Sequence, residues 1–315
     1  MIQVFIDGSE GTTGLRIRQR LQTRSDIALL EIDPDLRKDE EARAQLLNAA
    51  DVAILCLPDD AARRAVELVT NKSTIIIDAS TAHRTQSGWA YGLPELGKDY
   101  RRAIASGGRI VVPGCHATGF ISLVYPLVSL GLMPKYYPVT CHSVTGYSGG
   151  GNRMIADYAD PQRAASFETP RQYAMGLAHK HLPEMMKYTA LSSPPVFNPI
   201  VGDYYAGMAV SLPLHTRLLA DKPSAQELHG ALAKFYAGED MIQVAPFGEH
   251  PALSGGFLDP SHMAGKDTLE ILVTGHGEQA MLVALFDNLG KGASGAAVQC
   301  MNIACGIGEH TGLCL

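Results

Sequence analysis

A chain of 315 residues with 46% apolar and 18% charged side chains has the makeup of a soluble globular protein, with room for two domains or for one large domain carrying an insertion. Its net charge of −6, with no Lys/Arg run, argues against a nucleic-acid-binding surface, and no stretch of 18 uninterrupted apolar residues is present to enter a membrane. Met1 to Ile6 lack the basic segment and cleavage site of an export signal. The six cysteines (56, 115, 141, 300, 305, 314) contain no C-x-x-C pair and suit reduced thiols better than disulfides or zinc, so a cytoplasmic protein without metal is expected.

Ile2-Gln3-Val4-Phe5-Ile6 reads as a buried strand, Gly8 to Gly14 as a glycine-rich turn, and Leu15 to Thr23 as a helix. That order suits a dinucleotide, because glycines let the backbone approach a pyrophosphate and the helix N-terminus receives its charge. Gly8, Ser9, Gly11, Thr12, Thr13 and Gly14 are therefore cofactor candidates, although G-x-x-G-x-x-G is not the usual spacing. Strands at 27–32, 52–57 and 74–77 alternate with helices at 38–50 and 59–70, which predicts a Rossmann-type, doubly wound parallel sheet. Ligands of such sheets lie beyond the carboxyl ends of the strands, which adds Pro58 and Ser80. After the second strand, Glu31 and Asp33 suit an unmodified ribose, whereas Arg37 and Lys38 suit a 2′-phosphate.

Arg109 to Val112 form a further apolar run, Pro113-Gly114 break it, and apolar residues recur at helical spacing from Phe120. Cys115 thus falls in a strand-to-helix turn, where the amides of the first helical turn favour a thiolate. From Tyr136 the pattern changes to alternating strands at 136–144, 208–214, 241–244 and 268–274. They predict an inserted α+β domain with a mostly antiparallel sheet. The fold class is then α/β with an insertion: residues 1–115 plus 288–315 form the nucleotide domain, and 116–287 form a catalytic and dimerisation domain. Thr145 to Arg153 read as a flexible glycine loop whose Ser148 and Arg153 close over an anionic substrate. His179 and His181 are suited to exchanging protons with a thiol or carbonyl, and Arg217 is a candidate fork for a substrate carboxylate. Small residues from Gly292 permit a close approach by another backbone or a flat ring.

Four separated motifs carry a family resemblance: Val112-Pro113-Gly114-Cys115-x-Ala117-Thr118-Gly119, Tyr91-Gly92-Leu93-Pro94-Glu95, His179-Lys180-His181-x-Pro183-Glu184 and Asn288 to Ala296. In that order they resemble the N-acetyl-γ-glutamyl-phosphate reductases, and specifically the shorter, second type. The resemblance implies NADPH-dependent reduction of N-acetyl-L-glutamyl 5-phosphate to the semialdehyde in arginine biosynthesis, through a thioester on Cys115. It further implies that one of His179 and His181 lies beside the thiol, with His179 preferred, and that Asn288, Lys291, Gly292 and Ala293 pass under the nicotinamide. A homodimer or homotetramer is implied as well. His116 stands where the longer type has Phe or Tyr; it is included among the substrate residues, as an imidazole that tunes the thiol or, the preferred reading, one that points away into solvent. Two rivals remain: an aspartate-semialdehyde dehydrogenase-like reductase of another acyl phosphate, and a nonenzymatic NADP(H) sensor.

Overall fold

Val4, Phe5 and Ile6 are buried on both sides of their strand, so Ile2–Asp7 (β1) sits inside a sheet rather than at its edge. In the computed structural model, which describes residues 1–315, β1 belongs to a unit made of Met1–Gly114 and Ala293–Cys314. The chain continues through Thr12–Leu21 (α1), Ile27–Leu30 (β2), Glu40–Ala49 (α2), Val52–Leu55 (β3), Asp59–Leu68 (α3), Ile75–Asp78 (β4), Ala90–Tyr91 (β5), Lys98–Ala105 (α4) and Arg109–Val111 (β6). All six strands pair in parallel, in the order β2-β1-β3-β4-β6-β5. The expected Rossmann-type sheet is present. Local chemistry shifts some boundaries: α2 starts at Glu40 because Pro34–Leu36 form a tight turn and the Asp39 carboxylate caps the helix through the Ala42 amide at 2.8 Å.

Cys115–Gly292 form the second unit. It opens with Cys115–Ser129 (α5), followed by Thr140–Gly146 (β7), Gly151–Ala159 (α6), Arg171–Gln172 (β8), Leu182–Thr189 (α7), Val196–Gly202 (β9), Met208–His215 (β10), Ala225–Phe235 (α8) and Ile242–Val244 (β11). A short hairpin of Leu253–Ser254 (β12) and Phe257–Leu258 (β13) precedes the long pair Leu269–His276 (β14) and Gln279–Phe286 (β15). The seven-stranded sheet runs β11-β14-β15-β10-β7-β9-β8, antiparallel except at β11–β14 and β7–β9. α5 lies hard against this sheet: a Cβ on Gly119 would come within 2.6 Å of Val210 and 2.8 Å of Phe286.

Two expectations for this half need correction. The first strand begins at Thr140 rather than Tyr136, which is 79% exposed and precedes Pro138, a residue with no amide for the ladder. The stretch after it is not an open glycine loop: Tyr147–Gly150 form a 3₁₀ turn that leads directly into α6. The chain then returns to the first unit as Gly295–Ala304 (α9), whose Ala296, Val298 and Met301 complete the core around Val4, Ile54 and Ile77.

Candidate active site

Pro113 and Gly114 end the run of β6, and Cys115 follows as the first residue of α5. The sulfur therefore sits at the positive end of a 15-residue helix, partly exposed. Burial pushes the thiol of Cys141 well above the ordinary cysteine range, so it is inert at neutral pH. Beside Cys115 passes Gly292, where an added Cβ would stand 2.9 Å from the Cys115 Cβ.

His116, the residue after Cys115, packs with His179 and His181 in a cluster of three imidazoles. His116 is 3% exposed, and its ring centre lies 5.3 Å from that of His179 and 5.6 Å from that of His181. It does not point to solvent: its Nδ1 is 2.7 Å from the Ser143 hydroxyl and its Nε2 is 2.6 Å from that of Tyr173. Burial, with smaller contributions from His179 and Lys180, pushes its pKa down to about 3, so it is neutral in use. Because the unfolded imidazole takes up its proton near pH 6.5, this burial contributes stability above that pH, and the contribution is lost as pH falls from about 6.5 towards 3. In urea titrations between pH 7 and 4, wild type should lose stability more steeply than His116→Gln, by about 1.4 kcal/mol per pH unit within that window. Parallel curves would contradict the buried neutral state.

The two histidines ahead of α7 are distinguished by one hydrogen bond. The backbone N–H of His181 donates to Nδ1 of His179 at 3.1 Å. That nitrogen must present a lone pair, so in the neutral ring of His179 the proton is on Nε2. His181 is 5% exposed and starts α7, with the buried Glu184 three residues on.

In the first unit the three loop glycines do different work. Gly8 has φ +91°, and a Cβ there would lie 2.4 Å from the Cys56 carbonyl; a Cβ on Gly14 would lie 2.3 Å from the carbonyl of Gly8. Those two allow the tight turn and the close packing of α1. Gly11, the N-cap of α1, is less confined: a Cβ there would have its nearest neighbour, the Gly8 carbonyl oxygen, at 3.6 Å, so the helix N-terminus suits a phosphate. Ser9, Thr12 and Thr13 flank that terminus, half-buried.

Comparison with known proteins accords with both halves. Residues 8–105 match the family described as semialdehyde dehydrogenase, NAD binding domain, and residues 115–288 match semialdehyde dehydrogenase, dimerisation domain. The chain belongs to the semialdehyde dehydrogenase family. Among curated relatives, the N-acetyl-gamma-glutamyl-phosphate reductase 2 of Nostoc sp. is 47% identical over 99% of both chains. The N-acetyl-gamma-glutamyl-phosphate reductase of Chelativorans sp. is 48% identical over 96% of this chain and 97% of its own. The fold is shared with aspartate semialdehyde dehydrogenase II of Vibrio cholerae (TM-score 0.68, 15% identity, 97% of this chain and 98% of that one) and the Francisella tularensis enzyme (0.71, 13%, 96% and 99%). A semialdehyde dehydrogenase NAD domain means a nicotinamide cofactor for the first unit.

The remaining candidate residues of this family member are placed as follows. Arg37 and Lys38 are exposed, and Arg37 reaches Glu10 at 3.1 Å while Arg18 holds Glu31 at 2.9 Å, so acidic and basic ribose candidates share one small pocket. Pro58 is the N-cap of α3, and the Ser80 hydroxyl donates to Asp78 at 2.8 Å. Ser148 is fully buried and accepts from the Asn288 side-chain amide at 3.0 Å, while the Asn288 carbonyl oxygen accepts from the Gly207 amide; this pair braces the turn after β7. Lys291 is fully buried and Ala293 partly so. Arg153 is exposed on α6.

Arg217 is a correction. Cys115 is near the Val210 end of β10, but Arg217 lies past the other end, beside Glu278 at 3.9 Å and more than half exposed. Seven residues of extended strand separate the two ends of β10, about 24 Å, so within one chain Arg217 does not reach substrate at Cys115. Spacing gave no hint of Tyr173. Ser143 was detectable as an inward-facing polar residue between the buried Cys141 and Thr145.

Proposed function

We propose that this chain reduces N-acetyl-L-glutamyl 5-phosphate to N-acetyl-L-glutamate 5-semialdehyde with release of phosphate, using NADPH, as a homodimer or homotetramer in the cytoplasm. The observation that carries the reading is a cysteine at the head of a buried helix, in a chain nearly half identical, end to end, to enzymes named for this reaction. Cys115 forms a C–S bond to the acyl carbon as the phosphate departs, giving a thioester. A bound nicotinamide supplies hydride to that carbon. The C–S bond then breaks and releases the aldehyde.

The protein's own groups take the protons. With the Nδ1 lone pair of His179 already engaged, His181 is the residue that accepts the thiol proton, reversing the order expected from the sequence. His179 offers its Nε2–H to the phosphate oxygens. Arg37 and Lys38 support the preference for a 2′-phosphate, with Arg37 exchanging Glu10 for the ligand. The dimerisation domain supports the oligomer.

The reverse reaction tests the whole reading. N-acetylglutamate semialdehyde, phosphate and NADP⁺ should generate reduced nicotinamide, and omission of phosphate should abolish the signal. Arg37→Ala should weaken NADP⁺ use about tenfold and leave NAD⁺ use unchanged. Faster turnover of aspartate semialdehyde would transfer the assignment to the rival enzyme, and no turnover at all would favour a sensor.

A further inference from the structure

The Ser143, His116 and Tyr173 side chains form a chain of two hydrogen bonds, 2.7 and 2.6 Å long, that the thiol and the two catalytic histidines do not use. Neither the Ser143 nor the Tyr173 hydroxyl has a second hydrogen-bond partner. A neutral imidazole brings one N–H, so three protons are available for two bonds and one is left over. The leftover proton belongs either to Ser143 or to Tyr173.

Burial decides between them. Ser143 is 0% exposed, and a hydroxyl proton directed away from His116 would meet neither water nor an acceptor there. Its proton therefore goes to His116 Nδ1, which places the imidazole proton on Nε2, where it is donated to the Tyr173 oxygen. Tyr173 is only partly buried, and its own O–H is then turned away from His116. The phenol keeps that proton: burial, and next the charge of Cys115, push its pKa well above the ordinary tyrosine range. Tyr173 is held 2.6 Å from the ring of His116, the residue that follows the nucleophile on α5.

We infer that Ser143 and His116 fix the imidazole tautomer that frees the Tyr173 hydroxyl proton to hydrogen-bond the acyl oxygen of the substrate on Cys115. As the C–S bond forms, the carbonyl π electrons move onto that oxygen, and Tyr173 stabilises the charge without giving up its proton. Tyr173 is the catalytic residue; His116 and Ser143 position it. The inference rests on the thioester reading above.

The test is a double-mutant cycle in the reverse assay with NADP⁺, using wild-type turnover as the control for the reaction itself. Tyr173→Phe should lower kcat about hundredfold with the KM for semialdehyde changed less than about twofold, the scale of losing one oxyanion donor. Ser143→Ala removes the tautomer bias and should lower kcat about tenfold, yet cost nothing further in the Tyr173→Phe background. A role confined to packing would instead multiply the two losses. With melting curves showing each variant folded, a Tyr173→Phe enzyme within about threefold of wild type, or independent losses in the double variant, overturns the inference.

Discussion

Cys115→Ser should eliminate turnover, reducing kcat/KM by at least about 10⁴-fold, because a hydroxyl is a far weaker nucleophile than a thiol and a poorer leaving group when the aldehyde is released. NADP⁺ affinity, followed by fluorescence titration, should stay within about twofold of wild type, since the glycine loop belongs to the other unit. Phosphate-dependent reduction of nicotinamide at more than one hundredth of the wild-type rate would contradict the covalent route. An equal loss of nucleotide binding would show instead that the substitution had damaged the fold.

Gly292→Ala is the second large effect expected. The new methyl would stand 2.9 Å from the Cys115 Cβ, 3.2 Å from the Asp287 carbonyl oxygen and 3.2 Å from the Phe286 ring. Two of those neighbours are held rigidly, one as backbone and the other as a ring buried at 0% exposure, so the nucleophile is the group that moves. A displacement approaching 1 Å at a reacting atom costs on the order of hundredfold in rate, and kcat should fall by about that much while the enzyme remains folded. Alkylation of Cys115 by iodoacetamide should slow in parallel. Full activity in a folded Gly292→Ala protein would mean that the segment after β15 yields more easily than its packing suggests.

The parallel sheet was legible because its strands are short, continuous apolar runs separated by amphipathic helices and introduced by a glycine turn; a two-residue edge strand such as Ala90–Tyr91 carries no such run. The second sheet was only half legible. Its long antiparallel strands alternate openly, but β9 contains Pro199, which argues against a strand until one sees its carbonyl accept the Tyr173 amide. The site shows the same division. Cys115 was visible because a broken strand followed by a helix announces a position, whereas the direction of His116 depends on Ser143 and Tyr173, 27 and 57 residues away. Arg217 had the chemistry of an anion clamp, and only the length of β10 shows that it sits at the wrong end. The tautomer of His179 turns on a single backbone amide, which no residue pattern encodes.

The late arrival of α9 constrains how this protein is made. Ala296, Val298 and Met301 belong to the core of the nucleotide unit, so that unit is still incomplete when its first 114 residues have left the ribosome. Residues 115–292, by contrast, emerge as one uninterrupted segment. The earlier-synthesised strands can therefore close their core only once the tail has emerged.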